Sequence, residues 1–152
     1  MKRLAISALA AAVGGACLLT MRPRLALVKV VGRSMEPTYT DGDRLLAWRR
    51  PRRVRHGQVV IFKTPSCVGS RGPRPPWLIK RVVAVHGESV GPNSRLPELP
   101  PGIIPAGSVA VLGDRGETFD SRIFGPVPLQ DILGVPVLRV QARGRNQRGA
   151  SR

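Results

Sequence analysis

One serine of this 152-residue chain stands in a setting that favours nucleophilic chemistry. Ser34 lies in the segment 32–38, which reads GRSMEPT. Gly32 permits a close backbone approach, and Pro37 keeps the residue before it extended, so the turn can expose the serine hydroxyl. Because a serine hydroxyl is a poor nucleophile, it needs a base within hydrogen-bond reach.

The chain offers two kinds of base. His56 and His86 each precede a glycine in an apparent turn, which makes a histidine base unattractive, although the sequence leaves it open. Lys80 lies in the apolar run 77–85 and is suited to the role. A lysine base must be neutral, and lowering its pKa from about 10.4 to about 7 costs about 4.6 kcal/mol. Burial among apolar groups can supply a shift of that order.

Ordered segments of the chain resemble the type I signal peptidases, which are membrane-bound serine proteases with a serine–lysine dyad. The resemblance covers residues 26–138. The segments are 32–38, 80–85 (KRVVAV), 112–114 (LGD) and 120–122 (DSR). A single Ser-Met-x-Pro motif would be weak, but the ordered set is specific.

The resemblance implies roles in the reaction. Ser34 would be the nucleophile and Lys80 the general base, and the Ser34 backbone N–H would stabilise the oxyanion. Some family members carry a serine two residues before the nucleophile, where this chain has Gly32. The second oxyanion donor is therefore unassigned.

Segment 113–122 resembles a family box and is one residue shorter. By the resemblance, the Thr118 hydroxyl orients the lysine, Asp120 and Arg122 form the pair that holds the box in place, and Asp114 gives structural support. Arg115 replaces an asparagine of the family. Turn capping is an alternative reading of both aspartates.

The resemblance also implies substrate-binding residues: Val28, Val30, Met35 and Ile79 match positions that line shallow apolar pockets. Such pockets would take small side chains at the first and third residues before the cut, in exported precursors that carry signal peptides. Ordinary core packing is the alternative for each of the four.

The N-terminal region predicts a membrane anchor. Residues 4–21 contain no charge and as a helix would span about 27 Å, near the thickness of a bilayer core. We predict a short segment at 1–3, an anchor at 4–22, a peptidase domain at 25–140 and a basic, disordered tail at 141–152. A cleaved signal peptide is the competitor for the anchor. The resemblance implies a single-pass protein of the cell membrane with an extracytoplasmic catalytic domain.

The remaining pattern predicts a mostly β fold of antiparallel strands, folded into a partly closed, barrel-like domain, with no helix beyond the anchor. Pro136 marks the last strand as an edge strand. Residues 64–76 and 91–107 are rich in proline and read as irregular. The predicted strands are 25–31, 44–48, 58–63, 77–85, 108–112 and 132–140.

The net charge of +16 invites a nucleic-acid or an anionic-membrane partner. Nucleic-acid binding would need aromatic platforms or a basic helix, and neither is visible, so membrane lipid is the expected partner. No metal or cofactor is expected. A dedicated maturation protease for one precursor and an inactive, membrane-associated binding protein stay open. LexA-type repressors also use a serine and a lysine, but they would need a DNA-binding domain before the serine. Only 33 residues, most of them apolar, precede Ser34, so this class of protein is disfavoured.

Overall fold

The computed structural model describes residues 24–66, 75–116 and 119–141. Within these ranges the chain is mostly β, as predicted, and each predicted strand is present. The predicted anchor at 4–22, Thr118 and residues 142–152 lie outside the described residues. The elements are β1 (Leu25–Lys29), β2 (Arg44–Arg49), β3 (Val59–Lys63), β4 (Trp77–Val85), β5 (Ser89–Val90), β6 (Gly102–Ile103), β7 (Ser108–Leu112), α1 (Ser121–Phe124), β8 (Val127–Pro128) and β9 (Ile132–Gln141).

Seven strands form one antiparallel sheet in the order β1-β2-β9-β3-β4-β7-β8, and β5 pairs with β6 in a separate ribbon. The sheet is open in the described part of the chain, with β1 and β8 at its edges. The expected partial closure by strand pairing is therefore not seen. Three strands separate β1 from β4 in the sheet order, yet β1 and the start of β4 line one groove. The sheet is therefore curled.

The core lies on both faces of β7, which is why this strand is almost continuously apolar. Val109 and Val111 pack with Phe62 in one buried cluster, whereas Ala110 packs with Ile104 in another. Since successive strand residues point to opposite faces, a strand buried on both sides reads as an unbroken apolar run.

The last strand corrects the sequence prediction. β9 lies between β2 and β3 and is not an edge strand. Pro136 is accommodated because the register with β2 shifts between Leu46 and Ala47, which pair with Leu138 and Pro136. A bulge of this kind tolerates a residue that has no N–H to donate.

A short helix is the second correction. Helix α1 begins after Asp120, whose side chain accepts a hydrogen bond from the Arg122 backbone N–H at 3.2 Å. It ends at Phe124 and is capped by Gly125, which has φ +77°. Four residues are too few to show a helical period in the sequence. None of the helices in the described ranges is long and apolar enough to cross a membrane.

Candidate active site

The turn that carries Ser34 is closed at its base by backbone hydrogen bonds. Val30 N donates to Asp43 O at 2.8 Å, and Gly42 N donates to Val30 O at 3.0 Å. Gly32 has φ +90°, a conformation that favours glycine, and its N–H donates to Asp41 Oδ1 at 2.9 Å. The turn therefore presents a half-buried Ser34 in the connection between β1 and β2.

Lys80 lies in the middle of β4, opposite Val60 of β3. Its side chain is 2% exposed, and Val60 and Val82 beside it are fully buried. Burial lowers the pKa of Lys80 to about 8, since a charged ammonium is poorly solvated there. Asp120 acts in the opposite direction by favouring the charged form.

One arginine links three parts of the site. Arg81 donates from Nε to Asp114 Oδ1 at 2.8 Å and from Nη2 to Thr38 Oγ1 at 3.0 Å, and the Thr38 hydroxyl in turn donates to Asp114 Oδ2. The carbonyl of Ser34 accepts from Arg115 N at 3.1 Å. These bonds hold the serine turn, the lysine strand and the loop after β7 against one another.

Asp114 and Arg81 each stabilise the charged form of the other. Burial raises the pKa of Asp114, but the hydrogen bonds from Arg81 and Thr38 outweigh it and the pKa is lowered overall. The hydrogen bond to Asp114 likewise raises the pKa of Arg81. Asp114 is therefore an anion at neutral pH and acts as an acceptor in the scaffold.

A second carboxylate organises the loop between β7 and α1. Asp120 is fully buried, pairs with Arg122 Nη2 at 2.6 Å and accepts from Gly113 N at 3.2 Å. Arg122 also donates to Gly116 O at 2.7 Å. Ser121 accepts a buried hydrogen bond from a backbone N–H of β7 at 2.8 Å. This loop contains Thr118, which lies outside the described residues.

Arg139 of β9 contacts the part of the turn that follows Ser34. Arg139 Nε lies 3.4 Å from Asp43 Oδ2, and its guanidinium carbon lies 5.1 Å from the centre of the Tyr39 ring. The same guanidinium donates to the Thr38 carbonyl. The residues that follow Ser34 are thus anchored to the sheet as well as to Asp114.

An apolar groove of about 420 Å³ runs between β1 and the start of β4. Ser34 lies on its wall together with Val28, Val30 and Ile79, three of the predicted substrate-binding residues. The fourth, Met35, is 1% exposed and does not line the groove. The structure thus brings three of these four residues to the serine.

Ser34 and Lys80, which are both among the described residues, lie near the loop that follows β7, but their side chains do not form a hydrogen bond with each other. Lys80 follows Ile79, the last residue of β4 that lines the groove. Catalytic hydrogen bonds are often long in ligand-free proteins and shorten when substrate binds.

Sequence reasoning did not single out Arg81, Thr38 or the pair between Arg115 Nη1 and Glu36 Oε2, which are 2.9 Å apart. The signal available for Arg81 was its place beside Lys80, on the opposite face of the strand. Nothing local could have revealed its partner, because Asp114 is 33 residues away in the chain.

Comparison with known proteins gives the class. The family model described as signal peptidase, peptidase S26, matches residues 2–96 and 91–141. This match covers most of the chain, which therefore belongs to the signal peptidase family, peptidase S26.

Individual relatives agree with the family match. The chain is 33% identical to the probable thylakoidal processing peptidase 2 of Arabidopsis thaliana, over 70% of this chain and 35% of that protein. It is 30% identical to the probable signal peptidase I-1 of Synechocystis, over 70% and 66% of the two chains. It is 32% identical to the mouse mitochondrial inner membrane protease subunit 2, over 72% and 64%. The match therefore spans between about one third and two thirds of the length of these relatives.

Proposed function

We propose that this chain is a membrane-bound serine endopeptidase that removes signal peptides from exported precursor proteins. The observation that carries the proposal is Lys80, a buried lysine with a pKa of about 8, next to a groove with Ser34 on its wall. A lysine with this pKa is about half neutral at pH 8, whereas an ordinary lysine is almost wholly charged.

In the proposed mechanism Ser34 Oγ attacks the scissile carbonyl carbon while Lys80 Nζ accepts the hydroxyl proton. The oxyanion that forms accepts a hydrogen bond from Ser34 N–H. Lys80 then returns the proton to the departing amine, and the new mature N-terminus leaves. Water, activated by the neutral Lys80, hydrolyses the acyl-enzyme and restores Ser34.

The second oxyanion donor is a distinct question. The N–H of Gly32 is engaged by Asp41 Oδ1, so it is a poor candidate. The second donor must be another N–H or O–H group of the turn, or a group that reaches the oxyanion only when substrate is bound.

Substrate recognition follows from the groove. Strand β1 is an edge strand, and β4 pairs with β7 only from Arg81 onward, so both strands offer backbone groups to an extended peptide. We propose that the residues before the cut add along these strands, with their side chains against Val28, Val30 and Ile79. Val28 and Ile79 are half-buried and Val30 is buried, so they leave only shallow pockets, which suit small side chains.

Four residues would support this chemistry without bond-making. Thr118 would orient Lys80, and Asp114, Asp120 and Arg122 would hold the surrounding loop. The ion pairs of Asp114 with Arg81 and of Asp120 with Arg122 support these roles.

Residues 4–22 would anchor the protein in the cell membrane as a single span, after a short segment at 1–3. The peptidase domain, 25–140, would lie outside the cytoplasm, and residues 141–152 would form a basic tail.

The proposal is tested with a panel of exported precursors incubated with the detergent-solubilised full chain, with new N-termini read by mass spectrometry. We expect cleavage of many precursors after small residues, and a loss of at least about a thousandfold in Ser34→Ala and in Lys80→Ala. Cleavage of one precursor alone would indicate a dedicated maturation protease. No cleavage by the wild-type chain would favour an inactive, membrane-associated relative.

A further inference from the structure

A concave, strongly basic site shares no lining residue with the serine groove and lies beside the start of β1. It has a volume of about 620 Å³ and is lined by Arg24, Trp48, Arg49, Arg50 and Arg52. We call it the arginine pocket. None of the described residues that line it is acidic.

Within the described ranges, no carboxylate forms an ion pair with an arginine of the arginine pocket. Residues 44–87 contain no aspartate or glutamate at all. Four arginines line this one cavity, so an anion bound there would offset their like charges as well as gain hydrogen bonds.

The backbone gives the pocket a defined shape. Arg50 has φ +49°, which residues other than glycine rarely adopt, and Pro51 follows it. The Arg50 N–H donates to Leu133 O at 3.0 Å and so fixes this turn to the sheet. The arginines are therefore presented from an anchored turn, with the half-buried Trp48 beside them.

The position of the pocket points to its ligand. Arg24 belongs to the pocket and follows the uncharged run 4–21 by only three residues. A pocket at this point lies at the bilayer surface if that run spans the membrane. Arginine binds phosphate oxygens in a bidentate manner, and tryptophan favours the boundary between headgroups and acyl chains.

We propose that the arginine pocket binds the phosphate headgroup of an anionic phospholipid. This inference rests on the proposed membrane-bound function. A bound headgroup would fix the height and rotation of the peptidase domain above the bilayer, and with them the direction in which the serine groove meets a precursor.

The test uses the full chain in detergent with equal amounts of phosphatidylglycerol and phosphatidylcholine, and native mass spectrometry reads the retained lipid. We expect preferential retention of phosphatidylglycerol. The variant Arg49→Gln/Arg50→Gln/Arg52→Gln should bind it at least about tenfold more weakly, because each arginine contributes about fivefold near an anionic surface. The control Arg44→Gln/Arg55→Gln/Arg95→Gln removes the same charge from exposed sites outside the pocket and should stay within about twofold of wild type.

Equal losses in the two triple variants, or no preference for phosphatidylglycerol, would overturn the proposal. Displacement of the lipid by a modest excess of inorganic phosphate or of a short oligonucleotide would also overturn it, in favour of a free-anion or nucleic-acid site. Thermal unfolding checks that both variants fold. Cleavage of a soluble reporter peptide in detergent should be unchanged in the pocket variant, so failure of lipid binding is separable from failure of the peptidase activity.

Discussion

Lys80 is the residue on which the proposed chemistry depends, and its environment explains why. The side chain is 2% exposed between valines of β3 and β4, and this burial lowers its pKa to about 8. Nearby carboxylates limit the shift, since Asp120 and Asp114 both favour the charged form. The site thus holds the lysine near the pH at which it can accept a proton, without removing its charge entirely.

Replacement of Lys80 by methionine should stabilise the fold at neutral pH, by up to about 3 kcal/mol. The folded pKa lies below the unfolded one, so below pH 8 the protein bears the full cost of a buried charge. Between pH 8 and about 10.4 the unfolded state binds more protons, and wild-type stability rises with pH. Urea unfolding at several pH values should show this rise in the wild type and not in Lys80→Met. The same slope in both proteins would contradict the assignment of the pKa to Lys80.

At the scale of elements, three segments far apart in sequence meet through Arg81, Asp114 and Thr38. Asp114 is 12% exposed at its side chain, so its charge depends on these partners. The loop after β7 also contacts Ser34 through the N–H of Arg115. A change at Arg81 should therefore alter the position of Ser34 through this loop.

We predict that Arg81→Ala destabilises the protein by about 1–3 kcal/mol, because it leaves Asp114 partly buried with one hydrogen bond fewer on each oxygen. It should also lower kcat for a reporter peptide more than it raises KM, as expected of a positioning residue. Arg55→Ala is the matched control, an exposed arginine outside the network, and should change the free energy of unfolding by less than about 0.5 kcal/mol. Unfolding and kinetics that match the control would remove Arg81 from the site.

The same network marks the limit of what the sequence could predict. The strands and the unusual settings of Ser34 and Lys80 follow from local patterns, such as apolar runs and turn residues. The pairing of Arg81 with Asp114 depends on the register of β4 with β7, which no short segment encodes. The edge prediction for Pro136 was wrong for a related reason, since a bulge in the pairing with β2 supplies the tolerance that the proline needs.

At the scale of the whole molecule, β1 borders two different surfaces. Its residues from Ala26 to Lys29 line the groove with Ser34, and the arginine pocket lies beside its start, at Arg24. If residues 4–22 anchor the chain, the pocket is the first part of the domain above the bilayer. The net charge of +16 then acts where anionic lipids can balance it.

The topology of the anchor gives a prediction for the intact protein. In spheroplasts, an external protease should remove a tag placed at the C-terminus, and the purified chain should keep residues 4–22. Protection of the tag in intact spheroplasts, together with digestion after lysis, would place the domain in the cytoplasm. An N-terminus at Cys17 or later would show instead that the segment is a cleaved signal peptide.

The pH dependence of kcat/KM tests the central claim, a serine activated by a neutral lysine, most directly. We predict that kcat/KM for a precursor peptide rises with pH through a kinetic pKa of about 8 and then levels off, since this parameter reports the base in the free enzyme. The profile should be unchanged in His56→Gln/His86→Gln. A kinetic pKa near 6.5 that disappears in that double variant, with Lys80→Ala still active, would contradict the account.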